Sequence, residues 1–111
     1  KANPKAPEAI EARVSLADIY AKELDCDNGI KHYQDVLKSD DTRHAILYKL
    51  ALLHEKKKEN DQAIVCLEKA VKLFPGEAKY HQHLGFIFEA AGNHEKALPH
   101  FKTVMELENK A

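Results

Sequence analysis

The chain repeats itself every 34 residues, and no other feature limits its fold so strongly: 111 residues divide into a lead of nine and three equal blocks, 10–43, 44–77 and 78–111. In register, position 7 reads Leu16, Leu50, Leu84; position 8 reads Ala17, Ala51, Gly85; position 10 reads Ile19, Leu53, Ile87. Later columns agree as well, with Gly29, Ala63, Ala97 at position 20 and Tyr33, Leu67, Phe101 at position 24. A block this short cannot bury an apolar face alone, so the blocks must stack on one another.

Within a block, apolar residues at positions 3, 7 and 10 follow the i, i+4, i+7 spacing of one helical face: Ala12, Leu16, Ile19; Ile46, Leu50, Leu53; Tyr80, Leu84, Ile87. A second stripe runs through positions 20, 21, 24, 27 and 28, as in Ala63, Ile64, Leu67, Ala70, Val71. Between the stripes stand breakers at 24–28, 58–61 and Gly92-Asn93. Gly92 suits the left-handed close of a helix, and Asn60 and Asn93 suit the cap of the next. Each block therefore reads as a helix hairpin, with helices expected over 7–23, 27–38, 41–57, 60–73, 77–91 and 94–108. Small residues at positions 8 and 20 let the paired helices approach to about 8–10 Å. Pro99 removes one backbone hydrogen bond in the last helix and predicts a mild kink there.

Composition narrows the class further. Lys+Arg 17 against Asp+Glu 18 gives no basic face for nucleic acid, and 32% charged residues of mixed sign leave no apolar run able to span a membrane. Two cysteines, Cys26 and Cys66, read as free thiols of a reducing compartment, which predicts a cytoplasmic location. The chain opens Lys-Ala-Asn-Pro and its only methionine is Met105, so it is expected to be a piece of something longer.

With these columns set out, the chain resembles the tetratricopeptide repeat (TPR) family, whose 34-residue pattern places Leu and Gly at positions 7 and 8, an aromatic at 11, Ala at 20, Phe at 24 and Pro at 32. The third block matches best, through Leu84, Gly85, Phe88, Ala97 and Phe101; the second supplies Leu50, Ala51, Ala63, Leu67 and Pro75; the first supplies Leu16, Ala17, Tyr20, Gly29 and Tyr33. Departures are Arg13, Leu47 and His81 where Trp is common, His54 at the aromatic position, and Asp41 and Asn109 where Pro is usual. The resemblance implies an all-α fold, a right-handed α-solenoid of three hairpins over 10–111, with residues 1–9 as a linker or the tail of a preceding repeat. It also implies a concave groove, lined by the first helix of each hairpin, that binds a partner peptide.

The residues themselves mark the same face. Once positions 3, 7 and 10 point inward, the first helices still carry Val14, Asp18, Tyr48, Lys49, Leu52, Lys79, Gln82, His83 and Phe86 on an adjacent side. Val14, Tyr48, Leu52 and Phe86 are the apolar members among charges. Leu52 and Phe86 hold one position in successive blocks, about 10 Å apart. An extended peptide rising about 3.3 Å per residue would match them with anchors three residues apart. Alternatively, neighbouring first helices bury these residues against each other. Lys49, Lys79 and His83 favour acidic ligand groups, whereas Asp18, Glu55 and Glu89 oppose them. The chaperone-tail clamp of the family does not fit: its places hold Val14, Asp18, Lys49, Lys79 and His83, and only Lys79 agrees. The asparagine-lined groove of sugar-transferase repeats is missing too, since position 6 reads Ser15, Lys49, His83.

Catalysis, metal and cofactor find no foothold in this reading. His81 and His83 point about 200° apart on a helix, and the column His32, Cys66, His100 is spaced about 10 Å between hairpins, too far for one zinc ion. Lys56-Lys57-Lys58 reads as a solvated turn. The expected function is protein–protein interaction through the groove. The alternative is an assembly element joined to another copy through its terminal helices, around Leu98, Phe101, Met105 and Leu107.

Overall fold

Several helix boundaries have a local cause. The computed structural model describes residues 6–109; residues 1–5 of the lead and 110–111 of the third block lie outside them. Six helices follow: α1 Pro7–Lys22, α2 Cys26–Ser39, α3 His44–Lys56, α4 Asn60–Leu73, α5 Ala78–Ala90 and α6 His94–Asn109. Pro7 opens α1, where its missing N–H costs nothing. The Asp25 carboxylate accepts from the Asn28 N–H (3.3 Å) to cap α2, and the Asn93 amide oxygen accepts from the Lys96 N–H (3.2 Å) at the start of α6.

One expected start and one expected cap are corrected. α3 begins at His44 rather than at residue 41, because the Asp40 carboxylate accepts from both the Thr42 N–H (3.1 Å) and the Thr42 hydroxyl (2.6 Å), holding that stretch in a turn. Asn60 does not cap α4 but is its first residue, after Glu59, and no side chain caps that helix. The Glu59 carboxylate is instead engaged by Nδ1 of His54 at 2.9 Å.

The turn inside each hairpin has one design. Leu24, Lys58 and Gly92 stand at the same position of their blocks and take φ of 62°, 62° and 79°. The next residue then donates its N–H five residues back, Asp25 to the Tyr20 carbonyl (2.9 Å), Glu59 to His54 (2.8 Å) and Asn93 to Phe88 (2.8 Å). These bonds use carbonyls that the helix end would otherwise leave unpaired.

Substantial contacts join only consecutive helices, α1 with α2 through α5 with α6, and the fold is elongated, 51 × 30 × 19 Å. Ala17, Ala51 and Gly85, with Gly29, Ala63 and Ala97, are all buried where paired helices meet. A Cβ on Gly85 would stand 2.6 Å from the Phe101 ring, and one on Gly29 would stand 2.7 Å from Leu53 Cδ1. α6 runs on through Pro99, whose carbonyl accepts from the Thr103 hydroxyl (3.0 Å). Cys26 and Cys66 are free thiols.

The inward stripe holds in two blocks and fails in one. Leu53 and Ile87 are 3% and 4% exposed, whereas Ile19 at the same position is 55% exposed. Ala12 and Leu16 are exposed as well. In α3 and α5 this stripe packs on the preceding hairpin, and among the described residues α1 has none before it.

Candidate functional site

The nine residues expected to line a groove sit on α1, α3 and α5, and individual side-chain contacts link α1 to α3 and α3 to α5. Between α1 and α3, the Lys49 ammonium donates to both oxygens of Asp18 (3.1 and 3.3 Å), while the buried Tyr33 hydroxyl donates to the same carboxylate. Burial, then that bond, pushes the Tyr33 phenol above its usual range. Arg43 adds a second link across this joint, to Glu11. Asp18 and Lys49 therefore neutralise each other rather than offering opposite charges to a ligand.

Between α3 and α5 the face is aromatic. Tyr48 packs on Tyr80 (ring centroids 5.3 Å) and edge-on to His83 (5.3 Å), and its hydroxyl lies 3.1 Å from His83 Nε2. The other imidazole nitrogen, Nδ1, stands 3.3 Å from Glu55 Oε1, out of line for a hydrogen bond, and neither atom has another partner among the described residues. Nε2 is thus the imidazole nitrogen within hydrogen-bond distance of a partner, the Tyr48 hydroxyl. Lys79 lies over the Tyr48 ring, 5.1 Å from its centre, and among the described residues it pairs with no carboxylate.

The apolar members divide. Val14, Tyr48 and Leu52 are half-buried, Tyr48 against Tyr80 and His83 of α5. Phe86 is not covered: it is 51% exposed, beside His83 (6.3 Å) and Phe101 (5.7 Å), with exposed Gln82 one turn earlier. The sequence pattern gave no sign of two further members, His44 and Phe74. Phe74 stacks on His44 (4.8 Å), and His44 meets Tyr80 through its ring (5.8 Å) and through Nδ1, 2.7 Å from the hydroxyl. An aromatic run thus crosses the face from Phe74 to Phe86. Its chemistry is recognition: flat apolar surface, an ammonium lying over a phenol ring and an imidazole in contact with that phenol.

The remaining histidines pair within their own hairpins. His32 stacks on Tyr20 (5.5 Å) beside Arg13, and His100 stacks on Phe88 (5.9 Å) with its Nδ1 3.3 Å from His81 Nδ1. His81 and His83 accordingly face opposite sides of α5. Among the described residues no three His, Cys, Asp or Glu side chains gather around a metal-sized centre, and no helix is long and apolar enough to cross a membrane. Of the lysine run, Lys57 is tied to Asp27 and lies 3.7 Å from Glu59, so the turn is exposed but anchored to the first hairpin.

Six helices in hairpins, packed only on their neighbours and presenting a face of first helices, define an all-α repeat solenoid. Comparison with known proteins places it more closely. The family profile described as the TT21 fifth ARM repeats domain matches residues 10–109, and the chain belongs to that helical-repeat family, in keeping with its tetratricopeptide resemblance. No curated protein sequence matches. Among solved structures, a crystal structure of MamA superposes with a TM-score of 0.88 at 27% identity, over 91% of this chain and 59% of that one. Residues 41 to the end of MamA from Desulfovibrio magneticus RS-1 give 0.88 at 30% identity, over 95% and 59%. MamA from MSR-1 gives 0.85 at 28%, over 95% and 60%. The chain thus spans about three-fifths of the length of these MamA chains.

Proposed function

We propose that the chain is a protein-interaction module that holds a segment of a partner protein on the face made by α1, α3 and α5. The observation that carries this reading is Phe86, a large side chain half exposed at the end of an aromatic run in which Lys79 lies over the Tyr48 ring. Burying such a ring supplies about 1.5–3 kcal/mol, the scale of a binding anchor. Tyr48 and Leu52 extend the surface, and Lys79 favours an acidic group on the ligand. Asp18 and Lys49, already partnered, and His83 shape the face and give it polarity. The role is non-enzymatic and uses no cofactor, and the free thiols suit a reducing, cytoplasmic setting. Panning a displayed peptide library tests this, repeated on the Leu52→Ala/Phe86→Ala variant. Loss of the selected peptides at unchanged melting temperature supports the face; equal enrichment contradicts it.

A second reading, end-to-end assembly, draws on the exposed stripes. Leu16 and Ile19 of α1 match in register the residues through which α3 and α5 join the hairpin before them. Leu98 and Met105 of α6, also exposed, match those through which α2 and α4 join the hairpin after. The two ends therefore carry complementary halves of a joint that the chain makes twice internally. Light scattering at two concentrations tests it: a mass that rises with concentration, and falls back in Leu98→Glu/Met105→Glu, supports stacking of copies, and a constant monomer mass opposes it.

A further inference from the structure

The three hairpins are not equal on the side opposite the first-helix face. In the first and third, positions 4, 11 and 23 form a stacked plug: Arg13, Tyr20 and His32; His81, Phe88 and His100. In the middle hairpin the same positions hold Leu47, His54 and Cys66. Cys66 is too small to stack, and His54 turns to Glu59.

A furrow of about 770 Å³ opens at this place, between α2 and α4, with Leu47, Leu50, His54 and Cys66 among its floor and Leu37 and Val65 on its walls. The equivalent furrow between α4 and α6, where His100 intrudes, is about 460 Å³. The larger one has the size of a small-molecule cleft. Its walls are helix side chains whose backbone groups are already paired, so an extended peptide would find no ladder there.

Charge is divided along its length. Lys38, Lys69 and Lys72 gather near the ends of α2 and α4 with a single acid, Asp41, while Asp61 lies at the far end, about 12 Å from Lys69 along the helix. Lys38 stands 3.7 Å from Asp35; Lys69 and Lys72 have no ion-pair partner among the described residues.

We propose that this furrow binds an anionic amphiphile, an alkyl chain with a carboxylate head, the chain lying over Leu47, Leu50 and Cys66 and the head paired with Lys69 and Lys72. Each buried methylene contributes about 0.8 kcal/mol, so a ten-carbon chain has enough apolar surface for measurable binding.

The probe is decanoate, titrated below its micelle concentration and followed by backbone amide shifts of the whole chain. Shifts centred on Leu47, Val65 and Lys69 are expected, with none at Phe86, so the result is separate from the peptide face. Cys66→His restores the plug and should abolish the shifts. Lys69→Gln/Lys72→Gln, both on the exposed rim, should weaken binding about three- to tenfold. If Cys66→His melts early, the lysine pair decides alone. Equal binding of decyltrimethylammonium, undiminished binding by the lysine variant, or a panned peptide that shifts this furrow while decanoate does not would overturn the proposal.

Discussion

The Asp18 carboxylate takes the Lys49 ammonium from α3 and the Tyr33 hydroxyl from α2, tying the first two hairpins at one point of the first-helix face. The two links differ in weight. Lys49 and Asp18 are both about two-fifths exposed, and such pairs contribute under about 1 kcal/mol. Lys49→Met should therefore change the denaturant midpoint only slightly.

Tyr33 predicts a pH dependence. Its phenol is held protonated in the folded chain by burial and by Asp18, and Tyr48 and Tyr80 are raised too, chiefly by burial. A raised folded pKa means that the contribution is complete below the unfolded value of about 10 and is lost as pH climbs beyond it. Melting temperature should fall above about pH 10, and Tyr33→Phe should flatten that fall.

At the acid side, His100 is the group to follow. Burial first, and then His81, lower its pKa, so the folded chain prefers the neutral ring. Its contribution is complete above the unfolded value of about 6.5 and is lost as pH drops below it. Melting at pH 7 and pH 5 should show the loss, and His100→Asn should reduce the difference between them.

Backbone strain is readable at Leu24 and Lys58, which hold the left-handed conformation that Gly92 adopts freely. Lys58→Gly should stabilise the chain by about 0.5–1 kcal/mol, since a side chain in that region costs about 1 kcal/mol, and Gly92→Ala should lose a similar amount. Urea unfolding of the two variants measures both signs.

Ala63 is fully buried between the helices of the middle hairpin. Ala63→Leu should cost about 1–3 kcal/mol by overpacking, read as a lowered urea midpoint at unchanged slope.

Much of this architecture was legible because it is periodic. The small residues at positions 8 and 20 and the buried stripe of α3 and α5 follow directly from columns such as Ala17, Ala51, Gly85. What the columns hide is chemistry that does not repeat. Leu24 and Lys58 carry no sign of a left-handed turn, since neither residue type favours it. The late start of α3 depends on one carboxylate, Asp40, folding back on Thr42. Ile19 looks like a core residue by register and is exposed because burial there needs a neighbour. Of the candidate face, the position of each residue was readable, but its partners were not. Asp18 with Lys49 and Tyr48 with His83 meet across separations of 31 and 35 residues, which spacing within one helix cannot reveal.

The most direct test of the central claim is to map a library-selected peptide onto the whole chain by backbone amide shifts. The account predicts shifts concentrated on α1, α3 and α5, around Leu52, Lys79, Gln82 and Phe86, and a Phe86→Ala chain that stays folded while losing most of the affinity. Shifts confined to α2 and α4, or to the exposed stripes of α1 and α6, would contradict it.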